Sequence, residues 1–323
     1  MSLIEQAAKR LEELRRAGVD VPEVVPKPRQ VPVAMAGTAE AANAKPQSAP
    51  AGPSRKSVSG IAAAQPAAPL PAEQLADDSA KVHLDLAHLA RKGIVTPDAP
   101  RSHVADEFRV IKRPLLMNAT GRGAAPIRNG NLIMVTSALP GEGKSFTAVN
   151  LAMSIAMELD HTVLLVDADV ARPTVPTLLA LPATRGLLDI LVDKSVELSQ
   201  VMLKTDVEKL SVLLSGTKHP RATELLASEA MGHLLDDLAS RYSDRIIIFD
   251  SPPLLVTTEA RELASHAGQV VVVVEALSTG HAAVKQALAT IDACPVKMLM
   301  LNKGRSASGG GGYGYGYGYG YGS

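Results

Sequence analysis

The chain has 323 residues with 33 basic and 33 acidic side chains, so no global field draws it to nucleic acid or to an anionic membrane. Its one cysteine, Cys294, excludes an intrachain disulfide and fits a reduced setting. No apolar run reaches the roughly 20 residues of a membrane-spanning helix, and the length allows one large domain or two smaller ones.

Residues 2–17, within a segment 1–20, predict a short amphipathic helix. Ser2 and Glu5 have capping-box spacing, Gly18 stands where a C-cap belongs, and Leu3, Ala7, Leu11 and Leu14 form one stripe. So short a helix is marginal alone. Its docking surface is its own catalytic domain, a partner, or, with acids among its bases, less readily a membrane. The charged start does not read as a signal peptide. Residues 21–80 are dominated by Ala, Pro, Ser, Gly and Gln. They bury too little to offset ordering entropy and read as a disordered linker.

Order is expected from about Lys81, with Leu84, Leu86, Leu89 and Ile94 in a short helix ended by Gly93. A charged helix follows at 106–116, in which Asp106 and Glu107 face Arg109, Lys112 and Arg113. It is either a self-paired, solvated helix or a subunit interface where acids on one copy meet bases on the next. Pro114 is expected to bend or end it.

The organising stretch is 132–149, LIMVTSALPGEGKSFTAV. An apolar β-branched run leads into Ala138-Leu139-Pro140-Gly141-Glu142-Gly143-Lys144-Ser145, and a helix-like run follows. This is a phosphate-binding loop with Ala at its first position. Gly141 and Gly143 let backbone N–H groups approach phosphate oxygens, Lys144 adds a charge, Ser145 offers a hydroxyl to Mg2+, and the helix presents its N-terminus. Pro140, Glu142 and Phe146 complete the nucleotide-binding segment.

Strands and helices then alternate. Strands are predicted at 162–166, 210–214, 245–249, 269–275 and 296–301. Helices are predicted over most of 187–203, at 222–227, 231–242 and 259–264, and from a Thr279 cap to about Asp292. Apolar strands alternating with helices mean an α/β fold of the P-loop NTPase type, a mostly parallel sheet with helices on both faces. Ligands in such sheets bind at the carboxyl ends of the strands. Asp167, Asp169, Asp250 and Asn302 all fall there, beside the phosphate loop.

Asp250, at the tip of a hydrophobic strand, suits a metal, held directly or through water. Of Asp167 and Asp169, one orients a metal water and the other accepts the proton of the attacking group, unless either caps the following turn. Lys144, Asp167 and Asp169 are the catalytic candidates, with Ser145, Asp167 and Asp250 at the metal. Asn302 either reads the adenine edge or closes a turn.

The last segment, 306–323, becomes strictly alternating Gly-Tyr and holds five of the six tyrosines: Tyr313, Tyr315, Tyr317, Tyr319 and Tyr321. Glycine at every second position favours neither helix nor strand. A tethered tail meets a nearby active site at roughly millimolar effective concentration. Five phosphates would add roughly −7 to −10 charges and repel neighbouring tails. The alternative is a stacking or self-association segment that needs no nucleotide.

Three motifs resemble the bacterial tyrosine kinases: the phosphate loop 138–145, the strand–acid motif 164–172 and IIIFDSPP at 246–253. EFRVIKRPLL, VTSALPGEGKS, VDADVARP and FDSPPLLVTTEAR resemble most the tyrosine autokinases encoded with exopolysaccharide and exosortase loci. The similarity covers a kinase domain at 81–305, the N-terminal helix and the tail. It implies ATP rather than GTP, Mg2+, and phosphorylation of the tail tyrosines across subunits of a homo-oligomeric ring. It implies interface roles for Asp106, Arg109 and Lys112, and a membrane polysaccharide chain-length (co-polymerase) protein as activating partner. It also implies a phosphotyrosine phosphatase as counter-enzyme, a role in exopolysaccharide synthesis or export, and a cytoplasmic enzyme held at the inner membrane through that partner. The sequence departs from the broader family at Ala171, where a basic residue is common and Arg172 stands one later, and at Pro114 in the interface helix.

Two other readings remain. A partitioning-type ATPase switch of the same superclass carries a signature lysine where Leu139 stands here. A nucleotide-binding scaffold would couple partners without catalysis. A nucleic-acid partner finds no basic patch interleaved with aromatics.

Overall fold

The structure is a computed structural model, and it describes residues 79–98, 102–241 and 245–304, all within a compact unit spanning Pro66–Ser323. The expected N-terminal helix, nearly all of the linker and the Gly-Tyr tail lie outside the described residues.

The elements in chain order are β1 (Ala80–Val82), α1 (Leu86–Arg91), α2 (His103–Ala119), β2 (Leu132–Ser137), α3 (Lys144–Ala156), β3 (Thr162–Asp167), α4 (Val175–Leu179), α5 (Leu187–Val192), α6 (Leu198–Val201), β4 (Leu203–Thr205), β5 (Leu210–Leu213), α7 (Ala222–Leu226), α8 (Glu229–Arg241), β6 (Arg245–Asp250), α9 (Glu259–His266), β7 (Gln269–Glu275), α10 (His281–Thr290) and β8 (Val296–Asn302). The eight strands form one sheet in the order β1-β4-β5-β3-β6-β2-β7-β8, parallel throughout except for β4 against β5.

The strands β2, β3, β6 and β7 each carry an unbroken apolar run of four or five residues because both faces of the sheet are covered. Leu132, Met134, Leu164, Val166, Ile247 and Phe249 point into one core, with Leu235 and Leu238 of α8. Ile133, Val135, Val163, Leu165, Ile246 and Ile248 point into the other, with Val149, Leu151 and Met153 of α3. The alternation follows from the two-residue period of a strand.

Several expectations are corrected in detail. The span 187–203 is not one helical run: α5 stops at Val192, α6 is a single turn, and Leu203 already belongs to β4. Order begins about Lys81 as expected, but as a strand, β1, that pairs with β4; neither of these strands nor the short helix α4 is predicted from the sequence. Both short strands carry too few residues for a period to show. The helix α10 starts at Gly280–His281, and Thr279 bonds elsewhere.

Helix α2 does not end at Pro114 but continues to Ala119. Leu115, one residue later, is fully buried, and buried Gln269 of β7 holds this half of the helix. Its Nε2 donates to the Leu115 carbonyl at 3.0 Å, and its Oε1 accepts from Asn118 Nδ2 at 2.9 Å. Tertiary contacts outweigh the one hydrogen bond that proline removes.

Candidate active site

The phosphate loop joins β2 to α3. Gly141 and Gly143 both adopt positive φ, +87° and +99°, and Gly143 is the N-cap of α3 without a side-chain cap. The first N–H groups of a 13-residue helix are therefore left for an anion. Gly143 answers a second demand: a Cβ there would collide with the side-chain amide of Asn302.

The loop is fastened on the side of β7 and β8. Glu142 is 2 % exposed. Its Oε2 accepts the Leu139 N–H at 2.6 Å, and its Oε1 accepts the Glu275 N–H at 3.2 Å and the Thr279 hydroxyl. Asn302 Nδ2 donates to the Glu142 carbonyl at 2.9 Å, and Lys303 Nζ to the Gly141 carbonyl at 2.8 Å. Glu142 and Asn302 thus bind the loop itself. The expected roles of Pro140 and Phe146 gain no specific contact beyond their place on the loop and the first turn of α3.

On the other side stand the acids. The register pairs Asp167 of β3 with Asp250 of β6, and Asp250 with Val135 of β2. Adjacent parallel strands therefore deliver Asp167 and Asp250 side by side at the base of the loop. Asp169 lies two residues beyond β3. Lys144 Nζ contacts Asp169 Oδ2 at 2.6 Å and lies 3.9 Å from Asp250 Oδ1. Ser145 Oγ accepts from Thr174 Oγ1 at 2.6 Å and from Lys144 Nζ at 3.3 Å. Thr174 was not singled out from the sequence, and a lone hydroxyl beyond the acid motif gives no pattern to find it by.

Asp167 and Asp250 are fully buried, and none of their four carboxylate oxygens has a hydrogen-bond partner. Burial pushes the Asp167 carboxyl up to about 8, reinforced by the charges of Asp250 and Asp169 and opposed by Lys144. Burial also raises Asp250, to about 6, opposed by Lys144 and by the nearby Ser145 and Thr174 hydroxyls, which stop short of a direct bond. Unpartnered buried carboxylates are costly and mark functional sites more often than structural ones. They fit a divalent cation: Mg2+ takes one or two carboxylates and completes its shell with waters and phosphate oxygens. Among the described residues, no group of three or more His, Cys, Asp or Glu could cage a metal unaided.

The interface candidates separate. Asp106 and Arg109 pair with each other at 2.5 Å on the exposed face of α2. Lys112 turns inward, 5 % exposed, with Nζ 2.5 Å from both the Ser154 carbonyl and Glu158 Oε1. It holds the C-terminal end of α3, where a cation complements the helix dipole. The tail tyrosines lie outside the described residues. No helix among the described residues is long and apolar enough to cross a membrane.

The family model for an AAA domain matches residues 130–301, more than half of the chain, from the start of β2 to all but the last residue of β8. The tyrosine-protein kinase YwqD of Bacillus subtilis is 35 % identical over 212 residues, covering 65 % of this chain and 84 % of that one. The succinoglycan biosynthesis transport protein ExoP of Rhizobium meliloti is 28 % identical over 183 residues, 56 % of this chain but 22 % of that one. The kinase domain of the Escherichia coli tyrosine kinase ETK superposes with a TM-score of 0.56 at 25 % identity, covering 74 % of this chain and 94 % of that one. With a phosphate loop, buried strand-end acids and these relatives in agreement, the chain belongs to the bacterial tyrosine-protein kinases, built on an AAA domain.

Proposed function

We propose that this tyrosine kinase uses ATP and Mg2+ to phosphorylate the tyrosines of its own Gly-Tyr tail, Tyr313 to Tyr321, on a neighbouring copy. The observation that carries the reading is the buried carboxylate pair Asp167 and Asp250, without hydrogen bonds, beside Ser145 and at the head of a glycine loop whose helix N-terminus has no side-chain cap. Ser145, Asp167 and Asp250 would hold Mg2+, which neutralises charge on the transferring phosphoryl group. The loop N–H groups and Lys144 take the β- and γ-phosphates. Lys144 is engaged with Asp169. Phosphates compete for Lys144 and free Asp169 to accept the phenol proton as tyrosine Oη bonds to the γ-phosphorus and the bond to ADP breaks. Atoms and charge balance with ATP and tyrosine in, ADP and phosphotyrosine out, and the proton passed through Asp169 to water.

The tether supports the tail as substrate, since effective concentration replaces tight recognition. Action across copies of a ring, with Asp106 and Arg109 at the contact, is part of the proposal; buried Lys112 supports it only from within. A membrane co-polymerase partner that places the enzyme at the inner membrane and an opposing phosphatase are proposed from the resemblance, and a polysaccharide role also from the similarity to the succinoglycan biosynthesis transport protein ExoP. ATP rather than GTP rests on the resemblance alone.

The test is the intact mass of the full chain after ATP and Mg2+, compared with Lys144→Met and with a chain ending at Gly312. Mass gained in single-phosphate steps and lost in both variants supports the reading. Phosphate retained in the shortened chain overturns the tail as acceptor. If wild type gains nothing, even with the cytosolic segment of a co-polymerase added, yet hydrolyses ATP, the nucleotide-switch reading takes over.

A further inference from the structure

Beside the acids lies a cavity of about 450 Å3 lined in part by Pro173, Pro176, Thr184, Arg185, Ser215 and Lys218, a size suited to a side-chain-sized ligand. None of these residues has a part in the chemistry above. Two of its lining segments adjoin active-site residues along the chain or the sheet. Pro173 is bonded to Thr174, whose hydroxyl reaches Ser145, and β5 pairs with β3 up to Val166 opposite Leu213, so the chain leaves β5 alongside Asp167.

The site is built rather than incidental. Two loops are stapled together under it: Leu187 and Leu188 N–H donate to the Leu214 and Ser215 carbonyls at 2.8 and 3.0 Å. Asp189 Oδ2 accepts the Gly186 and Thr217 N–H groups at 2.7 and 3.0 Å, so the nearest acid is already engaged by backbone donors. The approach is so close that a Cβ on Gly186 would collide with the Leu214 carbonyl. Two prolines give an apolar wall. Arg185 and Lys218 are exposed cations; among the described residues neither forms an ion pair within 4 Å, and Arg185 acts on Asp189 and Asp193 only at longer range. Thr184 has a buried hydroxyl with no partner.

We propose that this cavity is a subsite for a phosphotyrosine side chain, the product of the neighbouring active site. The proposal rests on the reading of the tail as substrate. The ring packs on the prolines, and the dianionic phosphate takes charge-assisted hydrogen bonds from Arg185 and Lys218. In a Gly-Tyr repeat the next tyrosine is two residues on, about 7 Å along an extended chain. Holding one phosphorylated tyrosine thus presents the next toward the neighbouring acids, and makes phosphorylation of the tail sequential along it.

The test uses the full chain, phosphatase-treated and saturated with ADP so that the phosphate loop is occupied. A labelled Gly-Tyr peptide carrying one phosphotyrosine is titrated by fluorescence anisotropy, beside its unphosphorylated and phosphoserine twins. The phosphotyrosine peptide is expected to bind about tenfold more tightly than either twin, and the Arg185→Ala/Lys218→Ala double variant to lose that preference. Both replaced side chains are exposed, so the fold is kept; an unchanged melting temperature checks it. Equal binding of the unphosphorylated twin overturns the proposal, as does a preference that survives in the double variant. Equal binding of the phosphoserine twin overturns the assignment to tyrosine. Because no ATP is used, failure here is distinguishable from failure of tail labelling: a chain that binds the phosphopeptide but never gains mass with ATP contradicts the autokinase reading alone.

Discussion

The two flanks of the phosphate loop are opposites. Toward β7 and β8 the polar groups that touch the loop find partners: Glu142 takes three donors, Asn302 and Lys303 grip two loop carbonyls, and Lys303 also pairs with Glu275 at 3.2 Å. Toward β3 and β6 two fully buried carboxylates are left without hydrogen bonds. A fold that can saturate one flank of a loop could saturate the other. The contrast separates scaffold from site: one flank fixes the loop's shape, and the other is kept unsatisfied for a ligand.

The largest expected effect comes from blunting the unsatisfied flank. Asp250→Asn should lower the rate of tyrosine phosphorylation by about 100- to 1000-fold, the scale of losing one preorganised electrostatic contact in a phosphoryl-transfer site. The same change should raise the melting temperature of the protein without nucleotide, because a buried carboxylate that lacks hydrogen bonds is removed while Lys144 keeps its closer partner Asp169. Measured together, rate and melting temperature must move in opposite directions. A fall in both would make Asp250 a structural acid.

Breaking the saturated flank should do the reverse. Glu142→Ala strands the part-buried Leu139 and Glu275 N–H groups and the Thr279 hydroxyl, and each lost hydrogen bond costs about 0.5–1.5 kcal/mol. Thermal unfolding should show the loss with or without nucleotide. Glu142→Gln keeps acceptor capacity and should recover part of it. If the loss appears only in nucleotide affinity, Glu142 belongs to the site and the contrast fails.

Protons sharpen the comparison further. An unfolded Asp titrates near 3.9, whereas Asp167 is pushed up to about 8 and Asp250 to about 6. Between those values the native state keeps protons that the unfolded chain has released. The stability of metal-free protein should therefore fall as pH rises from about 4 to about 8. Urea midpoints at pH 5 and pH 8 in chelator measure the slope. Asp167→Asn should flatten it, and so should saturating ATP with Mg2+, since charged carboxylates are then compensated.

Legibility in the sequence divides along similar lines. The loop, the acids and the central strands could be read because each is a local pattern: glycine spacing, an apolar run ending in Asp, helical periodicity. What could not be read depends on contacts between distant segments. Lys112 resembles any solvated lysine until α3 brings the Ser154 carbonyl and Glu158 to it. Pro114 looks like a helix end until Gln269, more than 150 residues away, fastens the next turn. Thr279 has the residue type and position of a helix cap, yet its hydroxyl serves Glu142. Polar residues chosen for long-range partners carry no local signature.

Asn302 decides whether the division between the flanks holds where strand end and nucleotide site meet. As a reader of adenine, its replacement should erase discrimination between ATP and GTP. As part of the scaffold, its one hydrogen bond to the Glu142 carbonyl is worth about 1 kcal/mol, and its amide fills the space beside Gly143. Asn302→Ala should then lower stability by about that amount and leave the ATP-to-GTP ratio within about twofold, a change of less than 0.5 kcal/mol in relative binding. Melting temperature and the two nucleotide affinities, measured on the same preparation, separate these outcomes. The geometry favours the second, because the amide nitrogen that would face a base is already donated to the loop.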